Sequence, residues 1–188
     1  MAEVQSTFLL QPGDAAPEFA LSEAGTGEVR SLAAVAGAAG TLVVFACNHC
    51  PYVVHVADEL GRLAGELRGR GVATVAINPN DAAAYPDDAP ERMPAFAAAH
   101  GWRFPYLIDA TQDVARAYGA ACTPDFFLIG ADRRLFYAGQ FDATRPGRGV
   151  PTGGDLRAAA EAMLAGGWPP ARPAPSSGCS IKWKPGGG

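Results

Sequence analysis

Residues 41–46, Thr-Leu-Val-Val-Phe-Ala, form an unbroken apolar run between Gly40 and Cys47. The run is too short for a helix and does not alternate, so it predicts a strand buried on both faces. Behind it, from Pro51 to Gly69, the residues Val53, Val54, Ala57, Leu60, Leu63, Ala64 and Leu67 recur at three- and four-residue steps. That spacing predicts a long amphipathic helix whose first turn tolerates Pro51. A second short apolar run, Val72–Ile77, completes a strand–helix–strand unit with parallel strands and a right-handed crossover. Upstream, Phe19 and Leu21 follow a Pro/Gly turn, and a Gly-punctuated stretch runs from Gly25 to Leu32, which together predict an N-terminal β extension. Downstream, the Pro- and acid-rich segment 78–90 predicts a loop at the C-terminal edge of the sheet, a candidate rim for a site.

The same pattern predicts a helix over 91–100 interrupted by Pro94, a strand over 105–109, and a helix over 111–118 capped by Thr111. It predicts a hairpin of 125–129 and 135–138, and a last helix over 155–164. His100, before Gly101, fits a helix C-terminus. The fold class is α/β, a central mixed sheet flanked by helices. A domain spans residues 1–167, and a Pro-rich tail, 168–188, carries Cys179.

Composition narrows the function classes. At 188 residues and 48% hydrophobic, the chain can bury a core, which excludes wholesale disorder. A net charge of −4 with no basic run gives no footprint for a nucleic acid. No apolar stretch approaches the roughly 20 residues that cross a bilayer, so no membrane partner is expected. The start lacks the charged and long apolar regions of a secretory signal, and the expected location is cytoplasmic. In that reducing compartment the four cysteines, Cys47, Cys50, Cys122 and Cys179, point to catalytic or metal chemistry rather than a disulfide framework.

Cys47-Asn48-His49-Cys50-Pro51 leaves a buried strand and opens a helix. Unpaired amides and the positive dipole end there stabilise a thiolate. Cys47 is therefore the expected nucleophile and Cys50 the resolving thiol. Asn48, His49 and Pro51 modulate the pair: a protonated His49 would favour the thiolate of Cys47, or the ring simply fills an exposed turn. His55, Tyr52 and Trp102 read as helix-surface and packing residues, and the adjacent Asp87 and Asp88 as solvated charge.

These residues resemble the thioredoxin fold, and within it the redoxin branch called alkyl hydroperoxide reductase/thiol-specific antioxidant, with its peroxiredoxin-like subgroup. The matching phrases are Gly13-Asp-Ala-Ala-Pro17-Glu-Phe19, Cys47-Asn-His-Cys-Pro-Tyr-Val53, Ala76-Ile-Asn78, Phe104-Pro-Tyr-Leu107, Tyr118-Gly-Ala-Ala-Cys-Thr-Pro-Asp125 and Gly178-Cys-Ser-Ile-Lys-Trp183. Together they cover nearly the full chain and imply a thioredoxin-like three-layer sandwich. The resemblance further implies a cis Thr123–Pro124 bond whose loop faces the CxxC and offers backbone groups to an extended substrate. Cys122 would then lie near the site, or else be a small buried hydrophobe.

The antiparallel hairpin returns residues 140–146 to the same rim. Arg145 there is a candidate for binding an anionic or carbonyl-bearing substrate, its alternative being a solvated loop arginine. The linker from Ala165 to Cys179 could stretch on the order of 45 Å, enough to fold back over a small domain. Cys179 is thus a candidate disulfide partner of Cys122 or Cys47, with Trp183 docking the tail, or an idle thiol.

The expected function is thiol–disulfide oxidoreduction, without a cofactor, on a disulfide-bearing protein or small-thiol substrate, served by an unidentified reductant. Two alternatives remain open. A thiol peroxidase fits the family name, but the Pro-xxx-Thr/Ser-xx-Cys motif of peroxide-reducing members is missing in both cysteine registers. A soft-metal site of Cys47, Cys50, Cys122 and His49 could hold Cu(I) or Zn²⁺.

Overall fold

The computed structural model describes residues 3–185. Strands β1 (Glu3–Gln5), β2 (Ala20–Glu23) and β3 (Val29–Ser31) lead into a short α1 (Leu32–Val35), followed by β4 (Gly40–Phe45), α2 (Pro51–Arg68) and β5 (Val72–Asn78). Then come α3 (Met93–Ala99), β6 (Tyr106–Ile108), α4 (Asp113–Tyr118), β7 (Cys122–Thr123), β8 (Asp125–Gly130), β9 (Leu135–Gly139), α5 (Gly154–Leu164) and β10 (Ser177–Ser180). Seven strands form a mixed sheet in the order β3-β2-β6-β5-β4-β8-β9, and β1-β10-β7 form a second, small sheet. The strands β4, β5 and β6 are parallel, and β8 runs antiparallel to β4.

The apolar run of β4 is buried throughout because the sheet is covered on both faces. Leu42 and Val44 face one core with Val53, Leu60 and Leu63 of α2 and Leu156 of α5. Val43 and Phe45 face the other with Leu32 of α1 and Val114 and Tyr118 of α4. The result is three layers, with the mouth of α2 at the C-terminal edge of β4. No helix among the described residues is long and apolar enough to cross a membrane.

Three local expectations change. The expected N-terminal β extension is built into the main sheet: β2 pairs with β3 and β6. Pro94 does not interrupt its helix, because it sits in the first turn of α3, where a missing N–H costs nothing. Short 3₁₀ turns, Pro86–Asp88 and Pro90–Arg92, precede it. Thr111 is not the cap of α4. The helix starts at Asp113 after Gln112 in the left-handed region, and the carboxylate of buried Asp109 accepts the Ala115 amide at 2.8 Å. His100 is the C-cap of α3, as expected, and its Nδ1 lies 2.7 Å from Asp58 Oδ1.

Two glycines of α2 separate packing from helix propensity. A Cβ on Gly61 would lie 2.4 Å from the His100 carbonyl oxygen, whereas one on Gly65 would meet nothing within 4 Å. Replacing either gains up to about 1 kcal/mol of helix propensity, but overpacking at Gly61 costs roughly 1–3 kcal/mol. Urea denaturation should therefore show Gly65→Ala more stable than wild type and Gly61→Ala less stable. Equal gains in both would refute the close α2–α3 crossing.

Candidate active site

Register brings the site together. Phe45 pairs with Asp125 across β4 and β8, so the chain leaving β4 meets the chain entering β8 at Cys47 and Thr123. The Thr123–Pro124 bond is cis. The Thr123 hydroxyl lies 3.3 Å from Cys47 Sγ, and its carbonyl oxygen lies 3.0 Å from Cys50 Sγ. Cys50 is the N-cap of α2, immediately before Pro51. Both sulfurs belong to fully buried residues.

The third sulfur comes from the far end of the chain. Strand β10 lies between β1 and β7, with Cys179 opposite Glu3 on one side and Thr123 on the other. Residues directly opposite in an antiparallel pair project to the same face. Cys179 therefore points where Thr123 points, and its Sγ lies 2.6 Å from Cys50 Sγ. This differs from the sequence expectation, which paired Cys179 with Cys122 or Cys47. Cys122 precedes Thr123 on the strand and so faces the other way; its sulfur donates to the Pro124 carbonyl at 3.6 Å. Burial pushes that thiol far up, which leaves Cys122 a small buried hydrophobe. Trp183 does help dock the tail: the Arg116 guanidinium stacks 4.5 Å from its ring centroid.

Asp88, read from sequence as solvated charge, is 2% exposed and organises the turn. Its Oδ1 accepts the Asn48 amide at 2.8 Å, and its Oδ2 accepts Asn80 Nδ2 at 2.7 Å. His49 Nδ1 lies 2.7 Å from the same Oδ2 but makes no directed hydrogen bond, and its ring stacks on Tyr85. The Asn48 side chain donates to the Asp87 carbonyl and accepts from Tyr106 Oη. Sequence reasoning missed Asp88 and Tyr106; for Asp88 the position of the 78–90 loop at the sheet edge was the available signal.

The expected metal set does not assemble, because Cys122 faces away. Cys47, His49 and Asp88 do offer ligand atoms within 4.8 Å of one another. Both oxygens of Asp88 are already spent on amide donors, so an ion there would displace structural hydrogen bonds. Arg145 reaches the rim, where it lines a crevice with Tyr52, His55, Pro124 and Thr144. Its guanidinium is held by the Asp142 and Thr144 carbonyls and by Gln140 Oε1. His55 joins the same rim through Thr144 Oγ1 at 2.9 Å.

Electrostatics divide the pair differently from the sequence expectation. A hydrogen bond from Cys47 holds the Cys50 thiol down at about 5 against the cost of burial, helped by a hydrogen bond from Cys179 and by the Val53 amide. Cys47 is pushed up by that same hydrogen bond to Cys50, by burial and by the nearby charge of Asp88. Burial first, then the hydrogen bond given to Cys50, pushes Cys179 up to about 12. These contacts thus favour the thiolate on Cys50 and the thiol form on Cys47 and Cys179.

A mixed sheet, a CxxC pair at the mouth of α2 and a cis-proline loop facing it define a thioredoxin-fold redoxin, an oxidoreductase-type enzyme. The model of the AhpC/TSA family matches residues 12–138, and the chain belongs to that family. It is 32% identical over 114 residues to Mycobacterium tuberculosis Rv2521, provisionally named a peroxiredoxin, covering 61% of this chain and 67% of that one. An uncharacterized conserved protein from Geobacillus kaustophilus has a similar crystal structure, with TM-score 0.93, 49% identity, and coverage of 98% of each chain. A hypothetical protein of Sinorhizobium meliloti, SMc02350, gives 0.92 and 49%, covering 97% of this chain and 99% of that one. A Chlorobium tepidum structure described provisionally as the thiol:disulfide interchange protein DsbE shares the fold at TM-score 0.66 and 24% identity, over 82% of this chain and 99% of that one.

Thiolate absorbance of the reduced protein should titrate with a midpoint near 5. Cys50→Ser should remove that step and Cys122→Ser should keep it. A midpoint in the free-cysteine range of about 8.5 would overturn the assignment.

Asp125, at the start of β8, accepts from Ser6 Oγ at 2.7 Å and is pushed by burial up to about 6. A carboxyl raised on folding stabilises the protein while protonated. That contribution is complete below the unfolded value of about 3.9 and is lost as pH rises through about 6. Denaturation across this window should show wild type losing on the order of 2–3 kcal/mol relative to Asp125→Asn. Parallel pH profiles would exclude the shift.

Proposed function

We propose that this redoxin is a thiol–disulfide oxidoreductase that works through Cys47 and Cys50. The observation that carries the reading is the arrangement of two buried sulfurs on one residue, Thr123, whose hydroxyl lies 3.3 Å from Cys47 Sγ and whose carbonyl lies 3.0 Å from Cys50 Sγ. A thiolate with a neighbouring thiol is what disulfide exchange requires. Cys50 attacks a substrate disulfide and releases one half as a thiolate, which takes up a proton. Cys47 then gives up its own proton, attacks the Cys50 sulfur and expels the second half, closing the Cys47–Cys50 disulfide. Thr123 holds both sulfurs, Asp88 and Asn48 fix the intervening turn, and Arg145 with Pro124 and Tyr52 frames the approach. The substrate is a disulfide-bearing protein or a small disulfide, and an external dithiol returns the electrons. A reducing compartment, the cytoplasm, suits that direction.

A thiol peroxidase is the second reading, favoured by the peroxiredoxin name of the Mycobacterium tuberculosis relative. Against it, the Thr123 hydroxyl faces Cys47 rather than Cys50, and the Arg145 guanidinium is engaged with carbonyls. Peroxide reduction needs a donor and a cation beside the attacking sulfur.

Insulin reduction by dithiothreitol, run beside hydrogen peroxide consumption, separates the two. The expected result is accelerated insulin reduction that falls to the dithiothreitol background in Cys50→Ser, drops in Cys47→Ser, persists in Cys122→Ser, and is accompanied by slow peroxide turnover. Fast peroxide turnover that survives Cys47→Ser, with no insulin reduction, would replace this reading with the peroxidase.

A further inference from the structure

We propose that Cys179 is a third redox residue, which takes the disulfide from Cys47 and stores it as a Cys50–Cys179 bond. The inference rests on the thiol–disulfide reading above and extends it to the end of the chain. Its basis is that Cys50 is flanked by two sulfurs rather than one. Cys179 Sγ at 2.6 Å lies inside ordinary van der Waals contact, on the face that Thr123 presents to the CxxC pair.

Three features show that β10 is built to deliver this sulfur. First, a Cβ on Gly178 would lie 2.1 Å from the Thr123 carbonyl oxygen, so only glycine lets β10 approach β7 this closely beside Cys179. Second, the strand is clamped along its length. The Ser6 amide donates to the Ser176 carbonyl, Ser176 Oγ donates to the Gly139 carbonyl, and the Ile181 amide donates to the Ala121 carbonyl. Third, the segment after it is locked to the loop that carries Asp88. The Lys182 amide donates to Asn80 Oδ1, the Asp81 amide donates to the Lys182 carbonyl, and Gln112 Nε2 bridges the Pro79 and Lys182 carbonyls. Cys179 is 3% exposed, so solvent does not compete for its sulfur.

The exchange is balanced within the chain. After the substrate has left, Cys47 and Cys50 are joined by a disulfide. Cys179 attacks the Cys50 sulfur: the Cys47–Cys50 bond breaks, a Cys50–Cys179 bond forms, and the proton of Cys179 passes to the departing Cys47. No electrons enter or leave in this step. Two electrons then come from an external dithiol, which departs as its own disulfide and restores three reduced thiols. The transfer returns Cys47 to the thiol form while the oxidising equivalent waits on β10.

The test is to equilibrate full-length protein in dithiothreitol buffers of graded potential, quench with an alkylating agent, and map the peptides by mass spectrometry. The expected result is a Cys50–Cys179 linked peptide as the main oxidised species in wild type and in Cys122→Ser. The same link should form in Cys47→Ser, which lacks the CxxC pair, and Cys179→Ser should shift the oxidised pool to Cys47–Cys50. Circular dichroism of each variant confirms that it is folded. Cys179 alkylated at every potential, with a Cys47–Cys50 disulfide present and insulin reduction unchanged in Cys179→Ser, would overturn the storage role and leave the oxidoreductase standing. Absence of any reversible disulfide together with absence of insulin reduction would remove both.

Discussion

The site depends on one buried residue, Thr123, which holds three sulfurs by three different groups. Its hydroxyl meets Cys47, its carbonyl meets Cys50, and its backbone pairs with the strand that carries Cys179. The backbone of Thr123 is held from both sides, by its pairing with Cys179 on β10 and by β8, which follows it and is in register with β4 from Asp125 to Gly130. The register thus sets the chemistry. A slip of one residue would turn the side chain of Thr123 to the opposite face and put Cys122 in its place.

The local field is a contest. Hydrogen bonds from Cys47, Cys179 and the Val53 amide favour charge on Cys50, while burial opposes it. Asp88 adds to the hydrogen bond with Cys50 and to the burial that push Cys47 up. Its carboxylate disfavours a thiolate on Cys47, the sulfur nearer to it, while holding the turn through the Asn48 amide. One carboxylate therefore holds the turn of the CxxC and reinforces a polarity that the Cys47–Cys50 hydrogen bond sets.

Much of this was legible in the sequence, because it is written in local pattern. The apolar run of β4, the three- and four-residue steps of α2 and the Cys-x-x-Cys-Pro between them depend on neighbours a few positions apart. What stayed hidden depends on distant partners. Asp88 beside Asp87 looks like surface charge, and only Asn48, Asn80 and Asn78 gathered round it make burial tolerable. Thr111 has the chemistry of a cap but loses the position to Asp109, which reaches Ala115 from the preceding strand end. Helix position alone also cannot show the hydrogen bonds and burial that push Cys47 up and hold Cys50 down. Cys179 could be seen to reach the site, but its partner is set by cross-strand pairing and by the missing side chain of Gly178.

The placement of β10 also determines how much of the molecule a disulfide would tie together. A bond between Cys47 and Cys50 spans a single turn, whereas Cys50 and Cys179 stand 129 positions apart. Closing so long a loop removes about 5 kcal/mol of freedom from the unfolded chain in the chain-entropy account. Passing the bond from one sulfur to the next would convert a local crosslink into a brace across two thirds of the polypeptide, and resistance to unfolding would become a record of the electrons the protein has taken up.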